Sequence, residues 1–515
     1  MKIGEPTAAE YIVPSADTQY NRICGQFSSR ERPAQQQHQV TNSSTHVCDW
    51  ICTSLRLPPM DANGGEVMYL RLPANLSEYS HFNQDGEMGY SNGSEDASRL
   101  CLVQLDNYLT SIPPLVLSTQ RLLRVDSATK NNISNRRDHS ECIRTTPGKD
   151  NHSVRSRCDP QMRRVDPPQH RLITSSNAGR VINVLQGEIA HCTSSQADIL
   201  VSDEATTCHI VALWSRYIDS KSDEGQDSTE FNGNVLATLT HIDRPGYKGC
   251  VRNAIDEHIK YHSVQSRQIT DDDDTEDVIN SCAHQASFEK GIIDISIHIL
   301  GGFDDQDSRS IEIASSVLQT LAAVSSECNY NAARRRLPQV HMALKTCAVA
   351  SANDDGTRCP LGRGLGLEVE SGSVFLAEVA DDRAAVNGSV SAQGPEVTLR
   401  SVRLWASSFH LPRSEQETRL IVIHRPDSEF LCVESFFFDH HSNAQRLLDL
   451  RSDEKLLHIT STSPDVEKPN FVAKVRESLT YMNQNKSKNV FPLGQAINFE
   501  RVGLNGWINV AINKI

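Results

Sequence analysis

The chain has 515 residues, 38% of them apolar, and a formal net charge of −14 at pH 7. That length allows about two to four domains, and the apolar share falls short of the ~45–50% usual in packed domains, so part of the chain should lie outside any core. The acid excess argues against a nucleic-acid binder, whose affinity comes from neutralising phosphates with Lys and Arg.

The fourteen cysteines run from Cys24 to Cys432 with no C-x-x-C pair and no regular period, so they read as free thiols. Met1-Lys2-Ile3-Gly4-Glu5-Pro6 lacks the apolar run of a signal peptide, and no stretch approaches the ~18 apolar residues of a membrane span. By elimination the expectation is a cytoplasmic or nuclear protein with no membrane partner.

In chain order, residues 1 to about 100 are rich in Ser, Asn, Gln, Glu and Gly, as in Gln35-Gln36-Gln37 and Asn92-Gly93-Ser94-Glu95-Asp96. Such composition buries too little apolar surface to offset chain entropy. Leu100–Val125 is more apolar and fits a strand or short helix, and Asn131–Gln169 reads as a polar, basic linker. Residues 1–170 are therefore expected to be a mostly disordered extension or insert, with the domain over 171–515 and its ordered core starting near Val181.

Val181–Leu185 and Asp198–Val201 fit strands, and Cys250–Tyr261 fits a helix with Ile255 and Ile259 at i,i+4. The acidic run Asp271–Asp277 reads as an exposed loop. Ile293, Ile295, Ile297 and Ile299 alternate on one face of a strand that Gly301-Gly302 ends. A helix over Ile311–Val324, a strand over His341–Val349 and a hairpin of Leu365–Val369 with Val374–Val379 follow. Further strands are expected near Ile421 and over Phe430–Phe438, and a helix over Pro469–Met482 carries Phe471, Val475, Leu479 and Met482 on one stripe. The pattern predicts an α+β fold: a largely antiparallel sheet with flanking helices, preceded by a poorly ordered N-terminal region.

The chemistry concentrates in two runs, Ser202-Asp203-Glu204-Ala205-Thr206-Thr207-Cys208-His209-Ile210-Val211 and Leu239-Thr240-His241-Ile242-Asp243. With the polar insert Ser215–Asn234 between them they read as a β-hairpin with a long tip. Pairing inward sets Leu213 opposite Leu236, Val211 opposite Thr238 and Cys208 opposite His241, which brings Cβ atoms to about 5 Å. A thiol beside an imidazole is a nucleophile with its proton shuttle, and its pKa should be lowered. His209, next along the strand, points to the other face and reads as structural.

A third group must hold the imidazole tautomer, and Ser202, Thr206, Thr207 and Asp243 are within reach. Asp203 and Glu204 are candidate carboxylates for a substrate ammonium, against the plainer reading of a solvated loop. Thr206 and Thr207 are candidate oxyanion donors. Gly301 and Gly302 could admit substrate close to the backbone, or simply form a tight turn. His258-x-x-x-His262 lacks the Glu of H-E-x-x-H and a third ligand, so it reads as a solvated helix face, and no metal is expected.

The nucleophile run, together with Leu239-Thr240-His241, Ile297–Phe303, Ser461-Thr462-Ser463-Pro464, Pro469-Asn470-Phe471-Val472, Phe491-Pro492 and Trp507, resembles the eukaryotic protein N-terminal asparagine amidohydrolases, in family order from about residue 181 onward. Bacterial chemoreceptor glutamine deamidases look like more distant relatives, with a hydroxyl residue six positions ahead of their Cys, where this chain has Ser202. The resemblance implies an amide hydrolase with Cys208 as nucleophile, His241 as proton carrier and Ser202 as the third residue. It would act as a monomer, without a cofactor, on proteins or peptides with a free N-terminal Asn, and feed N-degron degradation. Two alternatives stay open: a non-catalytic module that binds protein N-termini, and a Cys-dependent deamidase or protease of other specificity.

Overall fold

A computed structural model describes residues 50–58, 67–73, 94–123, 170–174, 179–218, 234–271, 291–305, 307–335, 338–380, 394–410, 419–439, 442–504 and 506–510. All lie in one compact unit, Cys48–Ile515. Its strands are β1 (Trp50–Arg56), β2 (Tyr69–Pro73), β3 (Arg171–Ile173), β4 (Val181–Asn183), β5 (Glu188–Cys192), β6 (Ile199–Ser202), β7 (His209–Ile218), β8 (Val235–Ile242), β9 (Ile292–Gly301), β10 (Gln339–Val349), β11 (Leu365–Glu368), β12 (Val374–Val379), β13 (Ile421–His424), β14 (Phe430–Val433), β15 (Ile497–Val502) and β16 (Gly506–Val510). The main helices are α1 (Ser94–Ser111), α2 (Pro113–Leu123), α3 (Lys248–Asp271), α4 (Arg309–Arg335), α5 (Val397–His410), α6 (Ser442–Leu448), α7 (Asp453–Thr460) and α8 (Phe471–Gln484).

An 8-stranded sheet runs β13-β5-β8-β7-β9-β10-β1-β2, and a 5-stranded sheet runs β3-β12-β11-β6-β4. A 3-stranded antiparallel sheet, β14-β15-β16, stands apart. The centre of the large sheet, β5-β8-β7-β9, is antiparallel, while β10 joins β9 in parallel. The α+β class and the predominance of antiparallel pairs match the sequence reading.

Alternation in the central strands explains the layers. Ile293, Ile295, Ile297 and Ile299 face Val251 and Ile255 of α3 and Ile313, Val317 and Leu321 of α4, in one buried cluster. Ile210, Ala212, Ala237 and Leu239 face the other way, against Leu200, Leu365 and Leu367 of the smaller sheet. The result is helices on a sheet on a second sheet, the general solution for elements with one apolar face. The Trp214 indole N–H donates to the Val369 carbonyl at 2.9 Å and ties the two sheets together. Buried Arg400 of α5 grips Glu188 of β5 through Nε, at 2.9 Å, and Nη2.

Two expectations change. The ordered unit does not begin near Val181. β1 pairs with β10, and Leu55, Leu70, Leu102, Leu105, Leu109 and Leu115 sit in the helix-side core. These short apolar segments are separated by long polar ones, so composition averaged over the region hid them. Of Leu100–Val125, the described part up to Leu123 is helical, one of the two forms expected, and falls in α1 and α2. The other expectation concerns His258 and His262, which are fully buried rather than solvated. The Ser215 hydroxyl lies 2.6 Å from His258 Nδ1 and 2.8 Å from His262 Nε2, and the Thr238 hydroxyl lies 2.8 Å from His258 Nε2 and 2.7 Å from His191 Nδ1. Hydroxyls on the sheet satisfy imidazoles that a helical wheel alone assigns to solvent. The acidic run after Asp271, the hairpin tip between Ile218 and Asn234, and most of the expected N-terminal disorder lie outside the described residues.

Candidate active site

β6 ends at Ser202 and the chain turns through Asp203–Thr207 before β7 begins, which leaves Cys208 just ahead of the strand. Glu204 holds the turn at φ 62°. The β7–β8 register differs from the one expected by two residues. His241 lies opposite Ile210, Val211 opposite Thr240, and Leu213 opposite Thr238. A long tip does not fix register, and a slip of two leaves every side chain on its own face, so the apolar pattern could not distinguish the two pairings. The consequence for chemistry is small. Cys208 joins the inter-sheet core with Ile210 and Leu239, and His241 points the same way, toward β6.

His241 is buried, and its Nδ1 lies 2.8 Å from Ser202 Oγ. The Ser202 hydroxyl spends its proton on the Val184 carbonyl at 2.6 Å, so it accepts from His241 Nδ1–H. That assigns the tautomer: Nδ1 carries the proton, and Nε2, buried and without a partner, is a base. Ser202 is thus placed to fix the imidazole tautomer. Asp243 instead pairs with Arg244 at 3.1 Å and accepts from Gln186.

Burial pushes the His241 imidazolium down to about 4, against the pull of Asp243, Glu204 and Glu188. Burial also pushes the Cys208 thiol far up, and the Asp243 and Glu467 carboxylates add to it, with Thr207 and Arg244 pulling the other way. The empty site therefore holds a neutral thiol and a neutral imidazole. This corrects the expectation of a lowered thiol pKa: desolvation and the two carboxylates outweigh the neighbouring imidazole, which carries no charge.

Gly301 and Gly302 form a tight turn against the Cys208 backbone. Gly302 N–H donates to the Cys208 carbonyl at 3.0 Å. A Cβ on Gly301 would stand 2.2 Å from that oxygen, at φ +133°. His209, fully buried, lies against Gly302, with its Cε1 2.9 Å from where a Cβ would be.

The remaining candidates are engaged by a segment distant in sequence, Ser461–Lys474. The Ser463 hydroxyl donates to Thr206 Oγ1 at 2.7 Å, and the Thr207 and Thr462 hydroxyls lie 2.9 Å apart. Lys468 Nζ sits 2.7 Å from Asp203 Oδ2, and Lys474 pairs with Glu204. Both acids expected for a substrate ammonium thus have lysine partners. A carboxylate that the sequence reading passed over, Glu467, accepts from a hydroxyl instead, Ser461 at 2.5 Å, with Ser463 Oγ 3.5 Å away. Burial raises its pKa, the Ser461 hydrogen bond opposes this, and Glu204 adds to it. Its place three residues after Ser461-Thr462-Ser463-Pro464 was the one signal available in sequence.

A family profile described as protein N-terminal asparagine amidohydrolase matches residues 172–271 and 268–509. The chain belongs to the protein N-terminal asparagine amidohydrolase family. It is similar to the protein N-terminal asparagine amidohydrolase of Homo sapiens, 23% identical over 312 residues, covering 60% of this chain and 76% of that protein. The Sus scrofa protein of the same name is 23% identical over 328 residues, covering 62% and 81%. The Mus musculus protein is 22% identical over 328 residues with the same coverage. The matched residues include Ser202, Cys208, His241, Gly301, Gly302 and the Ser461–Lys474 segment. β1, β2, α1 and α2 precede them.

Proposed function

We propose that this chain hydrolyses the side-chain amide of an N-terminal asparagine in proteins and peptides, giving N-terminal aspartate and ammonia. The observation that carries the mechanism is the Ser202–His241 hydrogen bond, which leaves Nε2 as a base on the sheet face that Cys208 shares. As the sulfur attacks the carboxamide carbon, Nε2 takes the thiol proton, so no standing thiolate is needed. The imidazolium, stabilised through Nδ1–H, then protonates the departing ammonia. His241 next takes a proton from water, and the hydroxide cleaves the thioester to release the aspartate side chain and the thiol. Glu467 pairs with the α-ammonium: it accepts from the Ser461 hydroxyl and feels Arg363 only through space, whereas Asp203, Glu204 and Asp243 are already in direct ion pairs. Activity without a cofactor, a cytoplasmic or nuclear setting and supply of aspartate N-termini to N-degron degradation complete the proposal.

The test is ammonia release from an Asn-starting peptide beside Gln-starting and N-acetylated controls. Cys208→Ser and His241→Ala should each abolish turnover while the protein stays folded. Equal rates on Asn- and Gln-starting peptides would remove the substrate assignment. Turnover by folded Cys208→Ser would remove the mechanism.

A further inference from the structure

The turn that precedes Cys208 is an awkward place to keep two acids. Asp203 is nearly buried, with a side-chain exposure of 8%, and Glu378 of β12 lies across from it. Lys468 bridges Asp203 and Glu378 here, while Lys474 pairs with Glu204. Lys468 Nζ lies 2.7 Å from Asp203 Oδ2, 3.3 Å from Glu378 Oε1 and 3.9 Å from Glu204 Oε1, with its own side chain 19% exposed. Asp203 is fixed further by backbone donors: Val379 N–H at 3.0 Å and Glu204 N–H at 2.6 Å. Its Oδ1 packs so closely on Gly364 that a Cβ there would come within 2.9 Å.

Between this corner and the nucleophile run two hydroxyl bridges, Thr206–Ser463 and Thr207–Thr462. They join the nucleophile's turn to the segment that ends in Glu467. Lys468 is the residue after Glu467, so a single dipeptide carries both a carboxylate whose charge acts on Cys208 and the ammonium that holds the turn bearing Cys208. The spacing between Cys208 and Glu467 is therefore set across this seam.

We infer that Lys468 is a positioning residue, clamping the nucleophile's turn to the Glu467 segment so that an ammonium-anchored substrate meets the sulfur in register. The inference rests on the roles proposed above for Cys208 and Glu467. Without Lys468, Asp203 and Glu378 face each other in one partly buried corner, repel one another and push the seam apart, while Glu204 keeps Lys474. Substrate still anchors at Glu467, so KM changes little. Its carboxamide no longer meets the sulfur, and misplacement of about 1 Å costs on the order of 100-fold in rate.

The experiment measures kcat and KM for ammonia release from an Asn-starting peptide, on folded protein quantified by its melting transition. Lys468→Met should lower kcat, expressed per folded molecule, by about 10- to 100-fold and leave KM within about threefold; normalising to folded protein is what separates this from simple loss of active enzyme, which also lowers apparent kcat at constant KM. Lys468→Arg, which keeps the charge, should recover most of kcat. Asp203→Asn should lower kcat, and the double variant should be no worse than Lys468→Met, because both changes break one contact. A folded Lys468→Met with the wild-type kcat overturns the inference, as does an arginine variant no better than the methionine one. If Lys468→Met does not fold, Asp203→Asn decides: unchanged kcat overturns the clamp, and a kcat loss at constant KM supports it. A wild type that releases no ammonia overturns the functional reading and this inference with it. A wild type that turns over beside an unimpaired Lys468→Met overturns this inference alone.

Discussion

Replacing Ser202 by alanine removes a single oxygen and should separate the mechanism from the fold. The side chain is fully buried, accepts from His241 Nδ1–H and donates to the Val184 carbonyl. Alanine leaves both groups buried without that partner, and each costs about 1–3 kcal/mol. Stability should therefore fall by ~2–6 kcal/mol, visible as a lower Tm with the protein still folded at 25 °C. The catalytic loss has a different origin. With no acceptor at Nδ1, the reactive tautomer forfeits a hydrogen bond worth roughly 1–3 kcal/mol, which at ~1.4 kcal/mol per decade is about 10- to 100-fold in its population. The other tautomer has its proton on Nε2 and cannot accept from the thiol. The assay is kcat for ammonia release well below the variant's Tm, with Ser202→Thr as the companion that keeps a hydroxyl. A folded Ser202→Ala with kcat within about twofold of wild type would refute the assignment of Ser202 as the group that sets the His241 tautomer.

Glu467→Gln should raise KM for Asn-starting peptides about tenfold or more, as expected for loss of a charge-assisted hydrogen bond, and narrow the preference for free over acetylated N-termini; an unchanged preference returns the ammonium to another acid. Gly301→Ala should cost several kcal/mol and much of the soluble yield, since its Cβ would lie 2.2 Å from the Cys208 carbonyl; a Tm within a few degrees of wild type contradicts this. Removing residues 1–100 should destabilise the protein strongly, because it strips Leu55, Leu57, Leu70 and Leu72 from the core, each worth roughly 1.5–3 kcal/mol; an unshifted melting curve would show that β1 and β2 are dispensable. Burial holds the imidazolium of His191 at about 3 and those of His241, His262 and His298 at about 4. The unfolded chain takes up those protons below about pH 6.5, so stability is full above that value and is lost as pH falls toward 4, by up to ~1.4 kcal/mol per pH unit for each imidazole. Urea melts at pH 7.5 and pH 5 measure the loss, and equal midpoints would mean that these residues are not buried neutral.

Alternation along Ile293–Ile299 and Val211–Leu213 was enough to assign the strands and their buried faces, because a side chain's face depends only on parity. The same logic put Cys208 and His241 on one side of the sheet, while Ser202 was singled out by the resemblance to deamidases with a hydroxyl six positions before their cysteine. Parity could not set register, so the pairing of His241 with Ile210 rather than Cys208 had to come from the folded sheet. Burial, too, was invisible in one dimension. His258 and His262 look solvated on a helix until Ser215 and Thr238 of the sheet are seen beneath them, and Cys208 looks activated until the desolvation around it is counted. The ion pairs that engage Asp203 and Glu204, and the hydroxyl bridge from Thr206 to Ser463 in the segment that holds Glu467, join residues more than 250 positions apart with no local periodicity. Only tertiary packing brings them to one turn, and that packing separates the acids engaged by lysines from the one held by a hydroxyl.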